Sequence, residues 1–327
     1  MTANFRTTLA CVALLANIAS AADLKNDAPC TPGMSFWSLL GSVGIGYADG
    51  HLQMDKLYAV CLPQPKEAGD SNYAYSPDQG GKLTTLIQDV AGKTLTTYVW
   101  HGENISGLWE LTDYKVLGGY ESIKPLTPGR YVLEFQADGA ALTRFPFSVA
   151  TMTSDDPYQP PGVRWFIDGP WSEYGNVFYQ RSDPQSTLRF TTWVQDRVGH
   201  VQPQKSIPYE AQLVRVADGK LLGEDKGTLH SDPQWRQLDV FFQPAGAAER
   251  LKAGDVLAAD GAYRVRLSIG GKPYGNYTFN VAGGHIELAK AQTEQTEPTT
   301  RIVDYLYGGR YHSYWLRRES ADAKAAQ

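Results

Sequence analysis

The fold class is decided by one stretch of the chain, Tyr263-Arg264-Val265-Arg266-Leu267-Ser268-Ile269. Its apolar side chains stand at every second position, with polar side chains between them. Successive side chains of a β-strand point to opposite faces, so this alternation predicts a strand with one buried face and one face in water. Gly270-Gly271 then provides a hairpin turn that tolerates positive φ. Because similar segments recur and no long segment has helical periodicity, the sequence predicts an all-β fold of antiparallel sheets.

The alternating stretch belongs to an internal repeat. Three segments recur in the same order, with apolar, polar and turn positions coinciding: 83–89 with 190–196, 128–135 with 260–267, and 145–149 with 277–281. The first pair is offset by 107 residues and the other two by 132, which implies 25 additional residues inside the second copy. The alignment predicts two copies of one domain, with Tyr131 on Tyr263 and Leu86 on Trp193.

The residues around the two aligned tyrosines resemble a feature of a known fold. They are Leu126, Pro128-Gly129 and Tyr131 in the first copy, and Leu257, Asp260-Gly261 and Tyr263 in the second. Both sets resemble the tyrosine corner of immunoglobulin-like and fibronectin type III-like β-sandwich domains, here of an exported bacterial protein. The resemblance implies two tandem antiparallel sandwiches, in which each tyrosine hydroxyl bonds to upstream backbone. It names no function, because this fold carries many.

The N-terminal residues have the order of an export signal. Arg6 precedes an apolar run over 9–18, and small residues at 19–21 suit cleavage, so 1–21 is a predicted signal peptide. The alternative is a buried N-terminal helix. Export implies an oxidising compartment, periplasm or cell surface, where Cys30 and Cys61 are expected to form a disulfide. Two separate buried thiols are the alternative.

Composition predicts the remaining boundaries. In chain order we expect an N-terminal cap at 22–56 stapled by the disulfide, a first domain at 57–150, a proline-containing linker at 151–162, a second domain at 163–282, a polar tether at 283–300 and an aromatic, basic tail at 301–327. No segment after the signal reaches the length of a transmembrane helix.

Charge and motifs exclude several functions. The chain has 30 basic and 35 acidic residues, and an acidic balance argues against nucleic acid as a partner. No nucleophile elbow, phosphate loop, zinc-protease motif or dinucleotide fingerprint is present. The six histidines are scattered without ligand spacing. The sequence therefore predicts a non-catalytic protein without metal or cofactor, with an unrecognised hydrolase as a minor alternative.

The tail is the first candidate binding region. Tyrosine, tryptophan and arginine are enriched at protein-binding hot spots, and the candidate residues here are Tyr305, Tyr307, Arg310, Tyr311, Tyr314, Trp315 and Arg317. The tail either folds back as an added strand or docks on another molecule; a membrane-surface role is a third option. The leading interpretation is an exported interaction or assembly module that binds a protein of the cell envelope.

The start of the second predicted domain is the other candidate. Trp165, Trp171 and Tyr174 stand near polar side chains, and exposed rings of this kind cover the apolar face of a sugar. A glycan is therefore the alternative partner. The same rings could instead fill the cores or the seam between the domains, and the sequence leaves both readings open, as it does the oligomeric state.

Overall fold

A computed structural model describes residues 32–62, 74–75, 82–105, 108–153, 162–180, 183–197, 206–287 and 311–319. Chain contacts define two units, Met1–Cys30 and Thr31–Gln327, and every described residue lies in the second. The predicted signal peptide and most of the predicted tether lie outside the described residues. Within the described ranges, no helix has both the length and the apolar character needed to cross a membrane.

Strands dominate the described chain. The first eleven are β1 (Gly33–Met34), β2 (Val43–Ile45), β3 (Leu52–Met54), β4 (Leu57–Val60), β5 (Ala74–Tyr75), β6 (Leu83–Asp89), β7 (Thr94–Ile105), β8 (Leu108–Val116), β9 (Gly129–Ala137), β10 (Ala140–Thr153) and β11 (Val163–Asp168). The others are β12 (Tyr174–Gln180), β13 (Arg189–Val194), β14 (Ser206–Arg215), β15 (Leu221–His230), β16 (Arg236–Phe241), β17 (Gly261–Ile269), β18 (Lys272–Ala282), β19 (His285–Ile286) and β20 (Tyr311–Glu319). Short helices are α1 (Phe36–Ser42), α2 (Pro170–Glu173) and α3 (Ala253–Leu257), with a 3₁₀ turn at Tyr120–Ser122.

The strands form two large antiparallel sheets. The first has the order β1-β4-β8-β7-β6-β9-β10-β11, with β5 beside β7. The second has the order β15-β14-β17-β18-β20-β12-β13-β16, with β19 beside β18, and β2 and β3 form a separate hairpin. The predicted all-β antiparallel architecture is confirmed. The predicted sandwich is not, because each half is one continuous sheet that curls toward a barrel instead of two sheets packed face to face.

The two sheets share a common frame of strands. Tyr131 lies opposite Asp89 on β6 and Phe147 on β10, and Tyr263 lies opposite Arg215 on β14 and Phe279 on β18. Both tyrosine hydroxyls donate to the backbone carbonyl four residues upstream, Tyr131 to Thr127 at 2.8 Å and Tyr263 to Ala259 at 2.6 Å. The hydrogen bond that the family resemblance implies is present in both halves.

The first segment of the predicted repeat was matched to the wrong strand. β6 pairs with β9, but β13 does not pair with β17, whose neighbours are β14 and β18. Leu86 lies opposite Glu134, which corresponds to Arg266 through the tyrosine offset of 132. Arg266 lies opposite Gln212, so the counterpart of Leu86 is Gln212 and not Trp193. Every half-buried strand alternates apolar residues with threonine or other polar residues, so short segments of this kind match without occupying equivalent positions. Asp89 and its counterpart Arg215 differ by 126 in number, whereas Tyr131 and Tyr263 differ by 132. The second copy therefore has six additional residues between these positions, and not 25.

The second sheet closes into a near-barrel. Just beyond β16, Gln243 forms an antiparallel bridge with Glu224 on β15, with N–H to carbonyl distances of 2.8 and 3.0 Å. Around this ring the eight main strands all have antiparallel neighbours. β20 is one of the eight, and it stands between β18 and β12.

The first sheet lacks a counterpart of β20 among the described residues. Six antiparallel pairings lead from β1 to β10, so these two strands run in the same direction. They approach each other where the Met34 backbone N–H donates to Thr143 Oγ1 at 3.0 Å. Closing this sheet like the second would need one more strand, antiparallel to both.

The predicted cap and boundary also differ from the structure. β1 pairs with β4, and α1 buries Phe36, Leu39 and Leu40 in the core, so the predicted cap is part of the first half. β11 pairs with β10, which places residues 163–168 in the first sheet and not in the second. Cys30 lies outside the described residues, and the Cys30–Cys61 disulfide stays a prediction.

Candidate functional site

The predicted tail supplies a structural strand. Tyr311–Glu319 is β20, which pairs with β12 along its length. Tyr314 and Trp315 are 4% and 1% exposed, so both rings are part of the core. Arg317 remains in solvent, 3.6 Å from Glu173. Of the three alternatives for the tail, the added strand is the one observed over Tyr311–Glu319.

Three of the predicted tail residues, Tyr305, Tyr307 and Arg310, lie outside the described residues. For Tyr311 only the backbone position at the start of β20 is described. The protein-binding role predicted for the tail therefore stays a prediction, with Arg317 as its exposed residue among those described.

The aromatic residues predicted to contact a sugar are buried or half-buried, and the described hydrogen bonds of Trp165 are all to residues of the first half. Trp171 is fully buried, and its Nε1 donates to the Leu40 carbonyl at 2.7 Å. Trp165 is half-buried, and its Nε1 donates to the Leu126 carbonyl at 3.2 Å. Tyr174 is also half-buried, with its ring 5.4 Å from that of Phe36. These rings pack inside the molecule, as expected from the alternative in which they fill the cores or the seam and do not contact a sugar.

The seam is a continuous aromatic cluster. Trp315 of β20 packs edge-on against Phe36 of α1 at 4.8 Å and stacks with Trp193 of β13 at 5.9 Å. Trp37 meets Trp193 at 5.3 Å. Edge-on and offset-stacked geometries are the favourable ones for aromatic pairs. The tail strand therefore stabilises the contact between the two sheets as well as the second sheet itself.

One open end of the second near-barrel forms a cleft of about 610 Å³, here called the end cleft. Strands β13, β15 and β17 end there, and β14, β16 and β18 begin there. Its floor is apolar and consists of Val194, Ile207, Leu229 and Ile269. Its rim is polar and includes Asp196, His230, Asp232, Arg236 and Lys272. Barrel mouths with an apolar lining and a few polar groups commonly hold small ligands.

The charges on this rim are unequally compensated. Asp232 accepts from Arg236 Nε at 2.6 Å and from the Gln234 backbone N–H at 2.8 Å. In contrast, no acidic side chain of the described chain lies within 4.0 Å of the Lys272 ammonium. The rim therefore presents a positive charge at Lys272 above an apolar floor.

Tyr274 forms part of the cleft wall. Its hydroxyl donates to the Trp193 carbonyl at 2.9 Å, and Arg318 of β20 lies 4.8 Å from its ring centroid. Burial raises the pKa of Tyr274, while the nearby Arg318 lowers it. The phenol thus stays protonated near neutral pH and keeps its hydrogen bond to β13.

A second cleft, of about 530 Å³, runs beside β10 and is here called the edge cleft. Its lining includes the stretch Thr143–Ser148 of β10 together with Phe36 and Tyr174, and the Phe36 ring lies 6.2 Å from that of Phe145. Burial raises the pKa of Tyr174; Glu173 raises it further and Arg317 lowers it. The cleft lies where the first sheet lacks a counterpart of β20.

No family of proteins, no curated protein and no solved structure matches this chain. Among the residues that the structure describes, no three His, Cys, Asp or Glu side chains are grouped as metal ligands would be. The function is therefore inferred from the chemistry of the two clefts.

The sequence did not reveal either cleft. The end cleft draws its lining from six strands spread over residues 194–274, with no common motif. Of these residues, only Val194–Asp196 and Ile269 fall within the repeated segment 190–196 and the alternating stretch 263–269. The edge cleft has no trace at all, because it depends on which strand is absent.

Proposed function

We propose that this chain is a non-catalytic binding protein of the bacterial cell envelope, and that the end cleft holds a small amphipathic ligand with an anionic group. The observation that carries the proposal is the combination of an apolar floor with the positive charge of Lys272 in a cleft of small-molecule size. An apolar body would lie on Leu229 and Ile269, and its anionic end would reach Lys272.

The envelope location rests on the sequence. The predicted signal peptide at 1–21 and the predicted Cys30–Cys61 disulfide both favour an exported protein, in the periplasm or at the cell surface. The absence of catalytic motifs favours binding over catalysis. The repeated frame of strands and the paired tyrosine hydrogen bonds support an origin by duplication of one domain.

Decanoate is a suitable probe because it joins an apolar chain to a carboxylate. Titration calorimetry of the full chain should give one site with a Kd below about 1 mM, the range expected for a ligand of this size. Decanol, which has the chain without the charge, should bind more weakly.

Three variants localise the site. Leu229→Asp places a charge on the floor and should abolish binding, since a carboxylate there is unpaired. Lys272→Gln should weaken decanoate binding about three- to fivefold, the effect of one exposed ion pair, and leave decanol unaffected. Lys220→Gln, at the opposite end of the same sheet, is the matched control and should change nothing. Absence of binding, or equal binding by all variants, would exclude the end cleft as the site.

A further inference from the structure

The second sheet has a stretch of strand edge that borders the end cleft. β15 stands at one end of the strand order and pairs with β14 along its inner side. Its outer side meets Gln243 at the bridge with Glu224. From Lys226 to His230, no strand of the described chain pairs with this outer side. Its last part, Thr228–His230, lines the end cleft and is here called the β15 edge.

β15 and β16 diverge beyond the bridge. The Phe241 backbone N–H on β16 donates to the Asp225 carboxylate at 2.9 Å, and not to the backbone of β15. Toward the barrel mouth, the end cleft is lined by the β15 edge and by Arg236 and Gln237 of β16. Among the described residues, no hydrogen bond or ion pair joins these two sets. The cleft of about 610 Å³ therefore lies where further pairing of β15 with β16 would stand.

The register of β15 decides which backbone groups face the cleft. The Gly270 N–H donates to the Pro208 carbonyl at 2.7 Å, so the backbone groups of Pro208 face β17. Pro208 lies opposite Thr228. Opposite residues of an antiparallel pair either bond to each other or both point away, so the N–H and carbonyl of Thr228 point outward. Those of His230, two residues further, do the same, and the outward bridge of Glu224 agrees with this alternation.

The β15 edge therefore presents one donor and one acceptor at each of Thr228 and His230. Both residues are exposed. Alternate residues of an extended peptide present the same groups at the same spacing, so such a peptide can bond to both. Leu229 lies between them with its side chain on the floor of the cleft. The peptide residue opposite Leu229 would direct its side chain to the same face, into the cleft.

The groups around Leu229 indicate which side chain fits there. Ile269 shares the apolar floor and lies opposite Lys272, so the side chains of these two residues lie on one face of the sheet. Lys272 supplies the uncompensated positive charge of the rim. A side chain with an apolar stem and a carboxylate end matches both features, and among the amino acids glutamate has the longer stem of the two acids.

We propose that the ligand of the end cleft is an extended peptide, which pairs antiparallel with the β15 edge and places a glutamate over Leu229 with its carboxylate toward Lys272. Strand addition of this kind uses backbone hydrogen bonds for affinity and side-chain pockets for specificity. This inference rests on the proposed function, because it names the chemical class of the ligand at that same site.

The capped tripeptide acetyl-Thr-Glu-Thr-amide is the smallest suitable probe. Its two threonines would pair with His230 and Thr228, and its glutamate would lie opposite Leu229. Titration of the full-length protein should show that it binds and displaces decanoate. The analogue with glutamine in place of glutamate should bind about three- to fivefold more weakly, the effect of one exposed ion pair. Lys272→Gln should remove this difference.

Methylation of the peptide backbone tests the pairing on the unaltered protein. A methyl group on the nitrogen of the second threonine removes a donor to the β15 edge and should weaken binding about two- to tenfold, the effect of one lost hydrogen bond. A methyl group on the glutamate nitrogen, which points away from β15, is the matched control and should change little. The reverse order of effects would assign the peptide to β16 and overturn the proposal.

A proline in β15 tests the same hydrogen bonds from the side of the protein. Thr228→Pro removes an N–H that faces the cleft, and proline is tolerated where the missing N–H lies on the open side of an edge strand. It should weaken binding of the tripeptide about two- to tenfold. Lys226→Pro, two residues away on the same side of β15 but outside the cleft, is the control and should bind like wild type. Circular dichroism should show that both variants keep the wild-type fold.

Hydrogen exchange localises the bound tripeptide. Its addition should slow exchange of the Thr228 and His230 amides and leave that of Lys226 unchanged. Protection of Gln237 in place of Thr228 would overturn the proposal. If decanoate binds but the tripeptide does not, the peptide is excluded as the ligand and the proposed function stands. If neither binds, both fail.

Discussion

The two sheets share a frame of strands but differ in how they end. Both have the hydrogen-bonded tyrosine, stacked at 5.6 Å on a phenylalanine of the next strand: Tyr131 on Phe147, and Tyr263 on Phe279. The second sheet is closed by β20, which comes from the C-terminal end of the chain. The first has β1 and β10 running in parallel where that strand would stand. The comparison teaches that one strand, β20, separates a closed near-barrel from a sheet in which β1 and β10 approach each other without pairing.

Removal of β20 should have the largest effect on this comparison. A chain ending at residue 310 loses the pairing of β20 with β12 and exposes the cavity left by Trp315 and Tyr314. Loss of a buried tryptophan alone costs about 3–5 kcal/mol, a large fraction of the net stability of about 5–15 kcal/mol of a domain. We expect the cooperative thermal transition, monitored by circular dichroism, to be lost.

A shorter truncation is the control for this experiment. Ending the chain at Glu319 removes only residues beyond β20 and should leave the melting temperature unchanged. If the chain ending at residue 310 melts like wild type, β20 does not close the second sheet.

Packing inside the second near-barrel should tolerate little added volume. A Cβ on Gly175 of β12 would lie 2.6 Å from the Phe190 ring and 3.0 Å from the Tyr277 ring. Both rings are fully buried, so Gly175→Ala should destabilise the protein by about 1–3 kcal/mol in urea denaturation. Gly41→Ala, where a Cβ meets nothing within 4 Å in α1, should be neutral or stabilising. Equal effects would show that the interior is loosely packed.

The tyrosine hydrogen bonds should contribute equally to the two sheets. Tyr131→Phe and Tyr263→Phe each remove one hydroxyl donor to a backbone carbonyl, so each should cost about 1 kcal/mol in the same denaturation assay. Binding of decanoate should be unchanged in both variants. A neutral result for one tyrosine alone would break the equivalence of the two halves.

Local patterns predicted the parts of the fold that depend on local physics. The alternation in Tyr263–Ile269 predicted β17, and the turn residues before Tyr131 and Tyr263 predicted two hydrogen bonds that the structure contains. The equivalence of Leu86 and Trp193 was wrong, because alternation identifies a strand and not its neighbours.

Tertiary pairing decided the features that the sequence left open. The tail composition fitted both a docking segment and a strand, and only the pairing of β20 with β12 and β18 distinguishes them. Tryptophan is a residue type common at binding surfaces, but Trp171 and Trp315 are buried in the seam. Neither cleft has a sequence signature, since each arises from strands that are distant along the chain.

The central claim is that β20 pairs with β18 at Asn276, whereas no strand of the described chain pairs with β10 at the corresponding side of Arg144. The most direct test is the exchange of two corresponding backbone amides, Arg144 and Asn276, in the unliganded full-length protein, followed by residue-resolved NMR. Asn276 pairs with Glu319 on β20, so its amide should exchange slowly, whereas Arg144 lines the edge cleft without a strand partner on that side and its amide should exchange much faster. Equally slow exchange of both amides would show that the first sheet is closed as well, and would contradict the account.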